Sequence, residues 1–143
     1  MRTIASVIIA VLLVLLLRRD MPINSGVVIG SAHQVWQRCE AGLSYNGITC
    51  KGMALTVSWQ QALSYCAALE DGTRTWHLPS REALMSYYHE TGRSGLHFVN
   101  LYWMSTTDSQ RPELAWYLIP GLDWVYTNFK ELDGLVLCVS DTL

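Results

Sequence analysis

Four cysteines constrain the fold of this chain more than any other sequence feature. An even number of cysteines in 143 residues, with no CxxC pair, is typical of a small exported domain closed by two disulfides. Of the three pairings that four cysteines allow, local geometry favours Cys39 with Cys50, because the interval between them contains Asn-Gly, the strongest short hairpin signal. That choice leaves Cys66 with Cys138.

An apolar run at residues 4–17 lies between Arg2 and the pair Arg18-Arg19. At about 1.5 Å per helical residue the run spans roughly 21 Å, which is shorter than a bilayer core and typical of a signal sequence. Because it ends in charge rather than at a small-x-small cleavage site, we favour a retained signal-anchor. A cleaved signal peptide and a buried core helix stay open as alternatives.

This interpretation predicts a hydrophobic N-terminal helix within residues 1–19 that contacts the membrane through residues 4–17. The protein is then expected in the periplasm or at the cell surface, anchored to the inner membrane. Residues 20–32, rich in Pro, Asn, Gly and Ser, are predicted to be a linker with a short strand at 27–29. Residues 33–143 have the length of a single domain.

Composition limits the classes of partner. Half of the residues are apolar and 15% are charged, so the chain can bury a sizeable core. The formal net charge is −2 and the basic residues are scattered, whereas phosphate backbones are bound by concentrated Lys and Arg. We therefore expect no nucleic-acid partner.

Apolar periodicity predicts an α+β domain with two helices packed on antiparallel strands. The first helix should begin after Ser58, where Gln61 completes a capping box, and should end at Gly72. The second should begin at Ser80 and end before Gly92, with a buried side formed by Leu84, Tyr87 and Tyr88.

Strands are predicted from aromatic and β-branched runs bounded by Pro and Gly. One strand over residues 34–39 should turn at Asn46-Gly47 and return through Cys50. After residue 100, four strands are expected, with the middle two joined by a turn at residues 120–123: 101–106, 114–119, 124–129 and 135–139.

Sequence landmarks follow one another in a specific order over residues 33–140: VWQRC, TCKG, SWQQALSYCAAL, TWHLPSREAL, LYWMSTT, LAWYLI and VLCVS. The most specific are W-x-LP-x-x-x-x-L at residues 76–84 and YW-x-ST at residues 102–106. This order resembles the Lcl C-terminal domain family, a bacterial domain of unknown function found in exported proteins, including a collagen-like adhesin. The resemblance implies a C-type-lectin-like fold, a role in binding or adhesion, and a helix-to-last-strand disulfide at Cys66 and Cys138.

Metal binding has little support in the sequence. The cysteines are not closely paired and the histidines have no ligand-like spacing to them, which disfavours zinc. The Glu-Pro-Asn, Gln-Pro-Asp and Trp-Asn-Asp motifs with which many C-type lectins hold calcium are absent. Asp108 and Glu113 are the remaining oxygen ligands, and two carboxylates in a solvated loop are more often simply hydrated. We expect no metal and no cofactor.

Catalysis also lacks a sequence signature. The thiols are consumed if both disulfides form, and no GxSxG elbow places a serine beside a base. The paired carboxylates at Glu70-Asp71, and at Glu131 and Asp133, fall where helix ends and turns would expose them. We therefore predict that the protein is not an enzyme.

Aromatic residues are the best candidates for a binding site. Trp124, Tyr126 and Asn128 occupy alternate positions of one predicted strand, directly after Asp123, and so share one face. Such a ladder can stack on sugar rings or dock a protein loop; the alternative is that this face packs on the second helix. The remaining tryptophans of the motifs are expected in the core: Trp59, Trp76, Trp103 and Trp116.

The sequence therefore predicts an exported, membrane-tethered binding module that recognises a glycan or a protein at the bacterial cell envelope. Its predicted ligand-binding residues are Asp123, Trp124, Tyr126 and Asn128. Two alternatives come from other classes. One is a periplasmic inhibitor or immunity-type protein that binds a toxin or an enzyme, and the other is a structural subunit of a surface assembly.

Overall fold

The computed structural model describes residues 26–30, 33–92, 96–97 and 99–141. The predicted N-terminal hydrophobic helix within 1–19, and most of the predicted linker, lie outside these residues. None of the helices in the described ranges is long and apolar enough to cross a membrane. The described chain is α+β, as predicted, with two α-helices packed on mixed and antiparallel sheets.

Three sheets make up the β-structure of the described chain. Their strands are β1 (Val27–Ile29), β2 (Val35–Gln37), β3 (Leu43–Tyr45), β4 (Cys50–Gly52), β5 (Thr56–Val57), β6 (Tyr102–Thr107), β7 (Leu114–Ile119), β8 (Trp124–Phe129), β9 (Gly134–Leu135) and β10 (Val139–Ser140). The largest sheet has the order β5-β9-β6-β7-β8, and the others are β1-β2-β10 and the hairpin β3-β4. Strands β6 and β9 pair in parallel, and the other described pairs are antiparallel.

Helix α1 (Trp59–Ala68) begins as predicted. The Ser58 side chain accepts from the Gln61 N–H, and the Gln61 side chain accepts in turn from the Ser58 N–H, which satisfies two backbone donors at the helix start. The predicted end at Gly72 is wrong. The helix stops because Leu69 turns into an extended conformation and its N–H bonds to Cys66 O.

Helix α2 (Arg81–Thr91) has the predicted start, end and buried side. Ser80 caps it by accepting from the Ala83 N–H, and Gly92 follows its last turn with a φ of 61°. The predicted buried side is confirmed, since these side chains are 0–7% exposed: Leu84, Tyr87 and Tyr88.

Two strand predictions are wrong, and pairing explains both. Residues 34–39 do not form an arm of the Asn-Gly hairpin; β2 pairs with β1 and β10 instead, and the hairpin is built from β3 and β4. The Asn46 side chain closes that hairpin by accepting from the N–H groups of Ile48 and Thr49. The predicted strand at 135–139 is divided into β9 and β10, which belong to different sheets.

The other strand predictions hold. Strands β1, β7 and β8 have the predicted bounds, β6 is displaced by one residue, and β7 and β8 are antiparallel neighbours across the predicted turn. Alternation along the strands gives the large sheet two apolar faces. One face packs with α1, through Ala62 and Cys66, and the other packs with α2, through Leu84 and Tyr87.

Both predicted disulfides are present. Cys39 is bonded to Cys50, which fastens the β3-β4 hairpin to the segment after β2. Cys66 is bonded to Cys138, and this second bridge joins α1 to the residue before β10 in the middle of the core. Among the described residues there is no free cysteine.

Candidate functional site

Strand β8 lies at one edge of the five-stranded sheet in the described chain. A short 3-10 helix, Pro120–Leu122, connects it to β7, and Asp123 then reverses the chain in the left-handed conformation with a φ of 51°. Asp is one of the few residue types that adopt this conformation at low cost. The turn therefore fixes the direction in which the chain enters β8 at Trp124.

The predicted aromatic ladder is exposed to solvent. Trp124 is 56% exposed and Tyr126 is 64% exposed, whereas Asn128 is half-buried. Their partners on β7 are Ile119, Tyr117 and Ala115, respectively. Because these β7 side chains pack in the cluster that contains α1, the ladder lies on the α1 side of the sheet and not on the second helix.

Tyr117 forms the inner neighbour of the ladder. Burial raises the pKa of its hydroxyl, and the nearby Tyr126 raises it further. The cross-strand pair therefore offers two phenol hydroxyls, one on a buried side chain and one on an exposed side chain. Either can donate or accept a hydrogen bond at the base of the ladder.

The carboxylate of Asp123 is engaged by the protein itself. The Tyr88 hydroxyl of α2 donates to Asp123 Oδ1, and it also lies 3.0 Å from Pro120 O. This contact ties the turn before the ladder to a buried residue of α2. A direct contact of Asp123 with ligand stays a prediction, as it does for the three ladder residues.

Exposed apolar side chains continue on both faces of β8 and at its ends. We call this group the β8 surface, and its members are 45–64% exposed: Leu122, Trp124, Tyr126, Phe129 and Leu132. Several exposed apolar side chains grouped along one edge strand indicate a binding surface more often than scattered single residues do.

The four tryptophans predicted to be core fall into two groups. Trp76 and Trp103 are 4% and 1% exposed, as predicted. Trp59 and Trp116 are only partly buried, so their prediction as core residues is only partly correct. A cation covers each ring: the Lys130 ammonium lies 4.0 Å from the Trp59 ring centroid, and the Arg81 guanidinium lies 4.1 Å from that of Trp116. Neither of these two rings is open to a ligand in the way that Trp124 is.

The acidic loop after β6 is held by its own backbone. Asp108 accepts from the N–H groups of Gln110 and Arg111 and pairs with the Arg111 guanidinium at 3.2 Å. These contacts, the Gln110 N–H first, hold the pKa of Asp108 below its usual range.

Within the described ranges no group of three or more His, Cys, Asp or Glu side chains is close enough together to hold a metal ion.

A pocket of about 470 Å³, which no sequence pattern predicted, lies on another part of the domain. It lies between β1, the β3-β4 hairpin and the end of α2, and its polar lining includes Arg38, Glu40 and His97. The Glu40 side chain is only 5% exposed. Because Glu40 and His97 are far apart in sequence and follow no motif, only the fold brings them together.

These observations define a class, the disulfide-closed α+β domain with an exposed aromatic strand at a sheet edge. The family follows from comparison with known proteins. Residues 30–140 match the Lcl C-terminal domain family, and the chain belongs to this family, as the order of sequence landmarks predicted. A search of curated proteins found no match.

Proposed function

We propose that this protein is an exported binding module, tethered to the membrane by its N-terminal segment, that recognises a glycan through the aromatic ladder of β8. The single observation that carries the proposal is the exposure of Trp124 and Tyr126 on one face of an edge strand. Large aromatic side chains normally bury most of their area, so two adjacent exposed rings on a well-packed sheet need a reason.

The geometry of the ladder suits stacking on sugars. Alternate residues of a strand are about 7 Å apart, so the Trp124 and Tyr126 rings can contact successive units of one chain. The apolar C–H face of a pyranose packs on an aromatic ring, while amide and phenol groups hydrogen-bond its hydroxyls. Asn128 and Tyr117 would supply those polar contacts beside the two rings.

Export is supported by the covalent structure of the domain. Two disulfides in a small domain, one of them in the core, are characteristic of oxidising compartments. Together with the apolar run at residues 4–17, this supports a location in the periplasm or at the cell surface. We also propose that the fold is C-type-lectin-like, supported by family membership and by the bridge from α1 to the residue before β10.

The test is binding of the full chain, in detergent micelles, to a broad glycan array, followed by titration with the best glycan. Trp124→Ala and Tyr126→Ala should each weaken binding at least about tenfold, which corresponds to roughly 1.4 kcal/mol. The matched control is Phe129→Ala, because Phe129 is equally exposed on the same strand but points to the opposite face. It should bind like the wild type.

A protein partner is the second candidate, because the β8 surface is apolar on both faces of an edge strand. A toxin or enzyme covering this edge would contact Phe129 as well as the ladder.

The glycan proposal is abandoned if no glycan binds saturably, or if the ladder variants bind as the wild type does. A single stoichiometric protein captured from envelope extract, whose binding is lost in all three variants, would replace it with the inhibitor function.

A further inference from the structure

The pocket of about 470 Å³ has a buried anion at its base. Glu40 Oε1 accepts a hydrogen bond from the Tyr102 hydroxyl, which is itself buried. Glu40 Oε2 faces His97, but the Nε2 atom is 3.8 Å away, which is too long for a hydrogen bond. A carboxylate removed from water is stabilised only when strong donors surround it, so the second oxygen of Glu40 is left with capacity for another donor.

A cation lies in the same pocket. The Arg38 guanidinium is 4.6 Å from the centroid of the Tyr45 ring, and one of its nitrogens donates to Val27 O at 3.3 Å. Both charges act on Tyr87, a third lining residue: burial and Glu40 raise the pKa of the Tyr87 hydroxyl, and Arg38 opposes them. The carboxylate and the guanidinium therefore border one space that has tyrosine walls.

We propose that this pocket binds a small zwitterion of the α-amino-acid type, with its ammonium on Glu40 and its carboxylate on Arg38. A ligand with one sign of charge would be attracted by one of these residues and repelled by the other. A neutral polyol could hydrogen-bond to both, but charge-assisted hydrogen bonds are about twice as strong as neutral ones. The volume lies within the usual range of small-molecule sites, roughly 300–1,000 Å³.

This site is separate from the β8 surface, since no residue of β8 lines the pocket. The two proposals can therefore fail independently. The disulfide Cys39–Cys50 gives the pocket a fixed wall, because Cys50 is a lining residue and Cys39 lies between Arg38 and Glu40. A preorganised wall lowers the entropic cost of binding a small ligand.

The test is calorimetric titration of the full chain with glycine, L-alanine, D-alanine, L-serine and L-lysine. Acetate and methylammonium serve as probes with a single charge, and glucose and galactose serve as neutral polyols. At least one amino acid should bind saturably, and should bind at least about tenfold more tightly than either single-charge probe. The same amino acid should raise the melting temperature of the wild type.

Glu40→Gln is the deciding variant, because glutamine keeps an oxygen for the Tyr102 hydroxyl and removes only the charge. It should weaken amino-acid binding at least about tenfold, and Arg38→Gln should do the same. If Glu40→Gln does not fold, Arg38→Gln is the deciding variant. Arg38 lines the pocket but, unlike Glu40, is not a buried residue. Trp124→Ala should bind the amino acid as the wild type does. The proposal is overturned if no amino acid binds, if the folded charge-removing variants retain full affinity, or if a sugar binds more tightly than every amino acid.

Discussion

The hydroxyl of Tyr88, in the last turns of α2, donates to the carboxylate of Asp123, the left-handed residue at the β7-β8 turn. The contact joins the buried side of a helix to the start of the exposed ladder. Tyr88 is 7% exposed, so its hydroxyl has little access to water as a substitute partner. The position of Trp124 thus depends on a residue from the opposite side of the sheet.

Replacement of Tyr88 by phenylalanine should lower the free energy of unfolding by about 1 kcal/mol, since one hydrogen bond to an exposed carboxylate is lost and the ring stays packed. Urea denaturation monitored by tryptophan fluorescence measures this change. Tyr65→Phe is the control, because the Tyr65 hydroxyl has no hydrogen-bond partner among the described residues. Its effect should stay within about 0.5 kcal/mol. Equal losses in the two variants would contradict a stabilising role of the Tyr88–Asp123 contact.

A glycine in β9 is expected to tolerate no side chain. A Cβ atom at Gly134 would lie 2.3 Å from Leu101 Cδ2 and 2.8 Å from the Trp103 ring. Trp103 is 1% exposed and its indole N–H donates to Val57 O, so the ring has no free space into which to move. Gly134→Ala should therefore destabilise the domain by about 1–3 kcal/mol through overpacking.

Chemical denaturation measures this loss, with Gly26→Ala as the matched control. A Cβ atom at Gly26 has no neighbour within 4 Å, and its backbone does not require glycine. The control should change the free energy of unfolding by less than about 0.5 kcal/mol. A Gly134→Ala protein as stable as the control would show that Trp103 can shift without cost.

The elements that the sequence predicted correctly are those whose signals are local. The Ser58/Gln61 capping box and the Ser80 cap each satisfy backbone groups within one helical turn, so each marks a helix start without reference to the rest of the chain. Residues 135–139 are different. Their apolar run is compatible with one strand, but Leu135 pairs in the large sheet and Val139 pairs with β2, a choice that depends on distant partners.

The two candidate sites show the same division. The ladder on β8 could be predicted because alternate residues of any strand share a face. The pocket could not, since Glu40 and its donor Tyr102 are 62 positions apart, and the YW-x-ST motif that contains Tyr102 indicates the family without indicating its partner. Only the packing of β6 near the segment after β2 brings that buried carboxylate and its donor together.

The two disulfides should differ in their effect on stability. The Cys66–Cys138 bridge spans 72 positions and the Cys39–Cys50 bridge spans 11. In the chain-entropy account, loss of the longer loop closure costs about 4 kcal/mol and loss of the shorter one about 3 kcal/mol. The double variant Cys66→Ala/Cys138→Ala should therefore be less stable than Cys39→Ala/Cys50→Ala. The cavity that it leaves in the core adds to the loss of stability, because Cys66 and Cys138 are fully buried.

Unfolding in guanidinium chloride gives the free energy of unfolding of each double variant and of the oxidised wild type, and so measures this order. Peptide mapping without reductant checks the pairing itself, and a Cys39–Cys66 or Cys39–Cys138 peptide would contradict it. If removal of the hairpin bridge Cys39–Cys50 costs more than removal of the core bridge, loop length does not control the stabilisation in this domain.

Acid should remove a contribution made by Asp71 in the turn after α1. The Arg74 guanidinium donates to its Oδ2 at 2.8 Å, and the N–H groups of Thr73 and Arg74 donate to its Oδ1. These contacts, the Arg74 side chain first, hold the pKa of Asp71 well below its usual range. A carboxyl group whose pKa is lower in the folded state stabilises the fold at every pH above its pKa in the unfolded chain, which is about 4. This stabilisation is lost as the pH falls from there through the pKa of the folded state.

The free energy of unfolding, measured in urea from pH 7 down to pH 2, should therefore fall less steeply for Asp71→Asn than for the wild type. The difference at pH 7 should stay below about 1 kcal/mol, because the pair is partly exposed and screened by water. Arg74→Gln should reproduce much of the flattening, since Arg74 is the main cause of the low pKa. Parallel acid profiles for the wild type and Asp71→Asn would show that Asp71 has the same proton affinity in the folded and unfolded chains.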